Sequence, residues 1–269
     1  MNSIRLLPKE LHALEINYIK SRLADMPAAK ITLRHRKNRA LRYVYCDGHL
    51  YLISTPQGSE LAAIANERST LTRELAELQS AWDAAYFEKV PEMVMPRPVE
   101  RYFVGYGGQR VRMDRSFYDS LTAESNPRFL EHKTFFYNGI YYRSKSEREI
   151  ARTYTDLGIE FKYEPAVLLN GSKTYTYSDF VCWDRITQSC FFHEHMGMNA
   201  LADYAHRAVT AISNYTSAGV LAGVDIIYTF EDEDFYFDPE LTVAQASLLI
   251  QNRLRNAKIT KPQPGTLTP

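Results

Sequence analysis

The stretch Tyr177–Met198, YSDFVCWDRITQSCFFHEHMGM, decides how the rest of the chain is interpreted. Two runs of bulky apolar residues flank the polar segment DRITQS at positions 184–189, which is the pattern of two buried strands joined by a turn. The first run is preceded by Asp179 and the second contains Glu194. Because a buried carboxylate is costly unless it is paired or bound to a metal, these two acids indicate a site rather than a plain core.

The spacing of the two acids predicts that they face each other. Asp179 and Glu194 are equally distant from the centre of the 184–189 segment, so an antiparallel hairpin sets them directly opposite, with Cβ atoms about 5 Å apart. Two like charges at that separation repel, whereas Mg²⁺ binds one or two protein carboxylates together with water and phosphate oxygens. The pattern predicts a seat for Mg²⁺, with Mn²⁺ as the alternative metal. A register slip that turns one acid to solvent is the competing interpretation.

The chain around this hairpin has the pattern of an α/β domain. The predicted elements, in order, are a short hairpin at FFYNGIYYRS with Asn138-Gly139 as its turn, a helix over 146–157 ending at Gly158, a strand at IEFKYEPAVLL, the central hairpin, a helix over roughly 199–217, a strand at VDIIYTF and a final helix starting near Pro239. Glu147 falls in the first turn of the 146–157 helix. It serves there either as a cap and partner of the helix dipole or as a third metal ligand.

These blocks together carry a resemblance. RSKSEREIA, YEP, YSDF and FFHEHMG, spread over roughly residues 135–230, resemble the PD-(D/E)XK nuclease superfamily, and more narrowly a bacterial and mobile-element branch of it. The resemblance implies an αβββαβ core with a mixed sheet. It also implies that Glu147, Asp179 and Glu194 hold Mg²⁺ for the hydrolysis of phosphodiester bonds, here in DNA.

The chain departs from the family pattern at one important position. Met196 stands two residues after Glu194, where the family has a lysine that orients the attacking water or neutralises developing charge. Lys162 and His195 are the candidate catalytic substitutes, with His206 and Arg207 as further candidates. Strict strand alternation turns His195 away from the Glu194 face, which argues against it.

The N-terminal part predicts a separate region. It contains a helix over 7–23, a β-hairpin turning at Asp47-Gly48, and a long helix capped by Ser59 and running over 59–86. The three prolines of Val90–Pro98 indicate a linker. We therefore divide the chain into residues 1–98, a connecting segment 99–134, the nuclease-like domain 135–258 and a flexible tail 259–269.

The same region carries the predicted nucleic-acid contacts. Residues 1–145 hold 22 Lys/Arg against 16 Asp/Glu, whereas residues 146–269 hold 10 against 16, so the formal net charge of zero hides a basic half and an acidic half. Six basic residues fall within 13 positions without an acid: Lys30, Arg34, Arg36, Lys37, Arg39 and Arg42. With the neighbouring tyrosines they predict binding to phosphates and unpaired bases. The competing interpretation is that strand alternation merely places these charges on a solvated face.

Composition excludes several other classes of protein. Three cysteines give no even disulfide framework and no CxxC zinc spacing, and no apolar run approaches the ~20 residues of a membrane span. We expect a cytoplasmic protein that does not act on membranes.

The sequence thus predicts a Mg²⁺-dependent nuclease, and two other functions stay open. In the first, the fold is kept and catalysis is lost, leaving a nucleic-acid-binding or protein-interaction module, as the missing lysine favours. In the second, the heptad-like stripe of the 59–86 helix forms a homodimer and the acids are incidental.

Overall fold

The computed structural model describes residues 8–36, 39–93, 95, 99–128, 130–172, 174–197, 202–232, 234 and 236–259. The chain forms a mixed α/β protein that divides into two compact units, Met1–Met95 and Pro96–Pro269. Within the described residues no helix is long and apolar enough to cross a membrane.

The N-terminal unit consists of two helices and one sheet. Its elements are α1 (Lys9–Asp25), β1 (Lys30–Arg36), β2 (Arg39–Cys46), β3 (His49–Leu52) and α2 (Pro56–Tyr86). The sheet is an antiparallel meander in the order β1-β2-β3. The predicted hairpin is therefore correct at its Asp47-Gly48 turn, where both residues have positive φ, but β1 adds a third strand.

Helix α2 begins earlier than predicted, and its apolar stripe packs inside this unit. Thr55, not Ser59, is the N-cap: its side chain accepts a hydrogen bond from the backbone N–H of Gly58, and Pro56 occupies the first turn. Leu71, Leu78 and Trp82 are buried. Arg68, the polar interruption of the stripe, donates to the carbonyl of Leu23 at 2.7 Å near the end of α1. The stripe thus already serves intrachain packing, and the homodimer through α2 remains a prediction.

The C-terminal unit is built on a four-stranded mixed sheet. Its elements are β4 (Tyr102–Val104), β5 (Arg110–Arg112), α3 (Arg115–Ser120), β6 (Phe135–Tyr137), β7 (Ile140–Tyr142), α4 (Lys145–Leu157), β8 (Glu160–Tyr163), β9 (Ala166–Val167), β10 (Thr176–Tyr177), β11 (Phe180–Asp184), β12 (Ser189–Met196), α5 (Ala202–Ser217), β13 (Ile226–Phe230) and α6 (Pro239–Ile259). The sheet order is β13-β12-β11-β8. Its neighbours pair antiparallel except β12 and β13, which are parallel.

Both faces of the β11–β12 hairpin are covered, as predicted. One face packs Val181, Trp183, Cys190 and Phe192 into a buried cluster with residues from β4, α3 and α5. On the other face, the ring of Tyr154 from α4 contacts the rings of Phe180, Phe191 and His193. Segment 99–134, which we treated as a connection, contributes Phe103, Met113 and Tyr118 to the first cluster and so belongs to the core of this unit.

The strand predicted at 159–169 is broken. Glu164 has a φ of 46°, a left-handed conformation that ends β8 before Pro165, and β9 resumes at Ala166. A non-glycine residue with positive φ ends regular pairing, and the break turns the Glu164 side chain into the protein, where it is fully buried.

Candidate functional site in the C-terminal unit

The hairpin register brings the two predicted acids together. Phe180 pairs with His193, and each following pair keeps the same register down to Asp184 and Ser189. One further step in that register sets Asp179, just before β11, opposite Glu194 in β12. Both acids are buried, so neither is turned to solvent by a register slip.

Asp179 is held by two donors that do not restore its ordinary pKa. Its Oδ2 accepts the backbone N–H of His195 at 2.7 Å, and its Oδ1 lies 3.2 Å from Nη2 of Arg143. Burial raises the pKa of Asp179 well above its usual range, and the charges of Glu194 and Glu147 raise it further. The two donors oppose this shift without cancelling it.

Glu194 lies in the same environment with different partners. The hydroxyl of Tyr215, from α5, donates to Glu194 Oε1 at 2.6 Å. Burial raises the pKa of Glu194 to about 7, and hydrogen bonds from Tyr215 and Ser178 act against that rise. At neutral pH the acid pair is therefore only partly ionised unless a cation joins it.

Glu147 is a helix cap that also faces the site. Ser144 and Glu147 form a capping box at the start of α4. Glu147 Oε2 accepts the hydroxyl of Tyr163 at 2.7 Å and the backbone N–H of Arg143 at 3.0 Å, while Oε1 lies 3.4 Å from Arg143 Nη2. Of the two functions that the sequence left open, the cap is present, and the second oxygen turns toward the same guanidinium as Asp179.

Arg143 and Glu164 complete the cluster. The Arg143 Nε lies 2.9 Å from Glu164 Oε1, and Lys133 Nζ lies 2.9 Å from Glu164 Oε2. Arg143 was not among the residues predicted from the sequence, although it is the first residue of the RSKSEREIA block. One signal was available in the sequence. Arg143 stands just before the start of a helix whose first turn carries an acid, so both side chains belong to the same helix end.

The proposed substitutes for the family lysine lie elsewhere. Lys162 Nζ donates to the carbonyls of Tyr118 and Leu121 at the end of α3, so it caps a helix C-terminus instead of approaching the carboxylates. Met196 is buried in β12. No described contact joins His206 to the acids.

His195 points away from the acids, as strand alternation predicts. Its Nδ1 lies 2.8 Å from Thr229 Oγ1, and its Nε2 lies 3.2 Å from Glu231 Oε1. Thr229 also contacts His193, whose other ring nitrogen lies 2.6 Å from the Tyr154 hydroxyl. Only the main chain of His195 reaches the site, through the N–H that it donates to Asp179.

The predicted nucleic-acid contacts of the N-terminal unit lie on two faces of its sheet. Lys30 and Arg34 fall on the same face as Tyr43 and Tyr45 by register, and both basic side chains are exposed. Arg42 pairs with Leu33 and so belongs to the opposite face, although its side chain is also exposed. Lys37 and the side chains of Arg36 and Arg39 lie outside the described part of the chain.

The side chains of the site are of the type that binds a divalent cation, but they are not arranged as a complete set of metal ligands. In the described part of the chain, no group of three or more histidine, cysteine, aspartate or glutamate side chains is arranged to hold a metal ion. The donors are nonetheless carboxylate oxygens, which Mg²⁺ prefers. The charge of Glu194 adds to burial in raising the pKa of Asp179, and Arg143 offsets only part of that rise. A pair of buried acids suffices for Mg²⁺, since water and substrate supply its other ligands.

Comparisons of this chain with protein-family models, with curated proteins and with solved structures give no match. The geometry and chemistry of the site are therefore the basis for proposing a function.

Proposed function

We propose that this protein is a metal-dependent nuclease of the PD-(D/E)XK type, which hydrolyses phosphodiester bonds in DNA. The observation that carries the proposal is the pair of buried acids that the β11–β12 register sets opposite each other. Their hydrogen-bond donors do not offset the effect of burial, which raises the pKa of both acids. A purely structural core gains nothing from such a pair, because apolar residues there would be more stable. The order helix α4, strands β8, β11 and β12, helix α5 and strand β13 also supports an αβββαβ core.

The residues of the site divide the work as follows. Asp179 and Glu194 would hold Mg²⁺ or Mn²⁺, and Glu147 would lie beside them as a third carboxylate. The His195 N–H and the Tyr215 hydroxyl each fix one carboxylate oxygen, which orients the remaining lone pairs. When bound, the cation polarises the scissile phosphate, lowers the pKa of the attacking water and stabilises the leaving oxygen.

A second function is favoured by one observation. The family's lysine position is the buried Met196, and neither Lys162 nor the His195 side chain contacts the acids. A fold that keeps its metal site but no longer cleaves would act as a nucleic-acid-binding module. The two functions differ in one measurable property, the cleavage of DNA.

A cleavage assay tests the proposal. Purified protein is incubated with supercoiled plasmid and with single-stranded DNA in Mg²⁺, Mn²⁺ or chelator, beside Asp179→Asn and Glu194→Gln. We expect metal-dependent cleavage that falls at least about 100-fold in both variants, because even partners outside the first ligand shell are typically worth 10–100-fold.

Asp184→Asn is the matched control for this assay. Asp184 is a buried acid and the last residue of β11. It lies about 17 Å along the strand from Asp179, which directly precedes β11. It should retain cleavage at temperatures where thermal melts show it folded. Metal-independent or undiminished cleavage by the two site variants would contradict the proposal. Salt-sensitive DNA binding without cleavage by the wild-type protein would support the binding module instead.

A further inference from the structure

We infer that Arg143 acts as an internal cation, which holds the acids of this site together in the metal-free protein. A divalent metal must displace Arg143 from Asp179 in order to bind there. This inference rests on the proposed function, since it concerns how the same site accepts its metal. It makes Arg143 a positioning residue that controls metal affinity.

The geometry of Arg143 joins acids from three parts of the unit. Its Nη2 lies 3.4 Å from Glu147 Oε1 in α4 and 3.2 Å from Asp179 Oδ1 before β11. Its Nε lies 2.9 Å from Glu164 Oε1 at the break between β8 and β9. The Nε contact with Glu164 is an ion pair by distance and not a hydrogen bond, because Arg143 Nε has no hydrogen-bond partner within the described residues. A guanidinium still suits this arrangement, because its charge is delocalised over nitrogens that face different acids.

The Asp179 oxygen that Arg143 holds is the one a metal needs. Asp179 Oδ2 already accepts the His195 N–H, which the strand backbone fixes. The less constrained oxygen, Oδ1, faces Arg143. A divalent cation bound at Oδ1 would lie beside the Arg143 guanidinium. Because both are positively charged and repel each other, they compete for the same carboxylate.

Glu164 would keep Arg143 in the cluster after Arg143 releases Asp179. This fully buried acid accepts the amide of Asn126 at 2.7 Å and lies 2.9 Å from both Lys133 and Arg143. It contacts Arg143 through Nε, while Asp179 and Glu147 contact Nη2. The guanidinium can therefore release Asp179 and keep its Glu164 contact.

Mn²⁺ binding at pH 8, where protons compete least for the acids, tests the inference in the full chain. Titrations followed by electron paramagnetic resonance compare wild type, Arg143→Gln, Arg143→Lys and Asp179→Asn. We expect Arg143→Gln to bind Mn²⁺ about tenfold more tightly than wild type, since one nearby positive charge is removed at an intermediate effective dielectric constant. Arg143→Lys should stay close to wild type because it keeps the charge.

Arg101→Gln is the matched control. Arg101 makes a bidentate ion pair with the buried Asp225 and is about as buried as Arg143, yet it contacts none of the site acids in the described part of the chain. It should lose stability without any change in Mn²⁺ affinity. If Arg143→Gln binds Mn²⁺ with wild-type affinity or more weakly, the inference is overturned.

A second measurement follows the metal titration of wild-type protein directly and needs one variant, Arg143→Lys, only to assign a signal. In ¹⁵N NMR spectra, Mg²⁺ should shift the Arg143 side-chain Nε–Hε signal, identified by its loss in Arg143→Lys, and leave that of Arg101 unchanged. An Arg143 signal that does not move while Mg²⁺ binds would contradict displacement. If wild type and Asp179→Asn show the same metal binding, the proposed function itself fails, which is a different result.

Discussion

The strand β11 has a buried charge cluster at each end, and the two clusters are built differently. At its C-terminal end, the acids Asp184 and Asp225 are accompanied by Arg253 and Arg101. Arg101 forms a bidentate pair with Asp225 at 2.7 and 2.6 Å, and Arg253 Nη2 lies 3.7 Å from the same carboxylate. Two acids and two guanidinium groups balance one another.

The cluster at the N-terminal end has more acids than cations. It contains four buried acids, Glu147, Glu164, Asp179 and Glu194. The cations that contact them, within the described residues, are Arg143 and Lys133. Under the proposed function, the balanced cluster serves stability and the acid-rich cluster receives the metal ion, since sites of activity are commonly less stable than the fold allows.

The largest expected difference between the clusters is in the free energy of unfolding. Asp225→Asn should lower it by about 3–5 kcal/mol, because both guanidinium groups lose their buried partner. Glu194→Gln should change it by less than about 1 kcal/mol, or raise it, because it removes a repelling charge and Gln can still accept from Tyr215. Urea denaturation in chelator measures both. Equal losses would show that the two clusters have the same structural function.

The second prediction concerns pH. Because the pKa of Glu194 is raised to about 7 in the folded protein from about 4.3 when unfolded, its protonated form is favoured by folding. The contribution of Glu194 to stability is therefore fully present below about pH 4.3 and is lost as the pH rises through 7, a loss of up to about 4 kcal/mol.

Thermal melts of metal-free protein between pH 5 and 8 measure this slope. Glu194→Gln should reduce it, and Glu194→Gln combined with Asp179→Asn should flatten it, because burial raises the pKa of both acids. Mg²⁺ should restore the stability of wild type at pH 8 if it binds the same acids. Asp225→Asn should lower the melting temperature at every pH and keep the slope. A slope that persists undiminished in the double variant would assign it to another group.

The smallest effect is expected for exposed charge, in the N-terminal unit. Replacing Lys30 and Arg34 together with glutamine should weaken DNA binding several-fold and reduce the slope of log affinity against log salt by about 2, one for each lost phosphate contact. Lys9→Gln is the control, because Lys9 is exposed but paired with Glu88 at 2.7 Å. Fluorescence anisotropy at several salt concentrations measures the slopes, and an unchanged slope in the double variant would exclude this face.

The elements that the sequence predicted well are those with a strong local signal. The central hairpin register followed from the position of the acids around a polar turn, and Asn138-Gly139 and Asp47-Gly48 are both turns with positive φ. The errors arose where tertiary contacts decide. The strand 159–169 carries no periodicity that marks its break at Glu164, and β1 is recognised as a strand only through its pairing with β2.

The same limit applies to the site. Asp179 and Glu194 could be placed opposite each other because a two-residue period fixes which side chains share a face. Arg143 could not be placed, because its contacts join residues up to 36 positions away through a helix end and two strand ends. Lys162 pairs with Val181 and so shares a sheet face with Asp179. Its ammonium group nevertheless binds the carbonyls at the end of α3, which no local pattern connects to β8.

His195 has a consequence for how such sites change over evolutionary time. Its amide proton contacts Asp179 on one side of the sheet, while its imidazole contacts Thr229 and lies near Glu231 on the other. Replacing His195 changes the contacts with Thr229 and Glu231, but it leaves the backbone amide proton in place. A homologous protein can therefore have another residue at position 195 and still donate the same backbone hydrogen bond to the aspartate. The identity of residue 195 is thus a poor marker of whether the site is preserved.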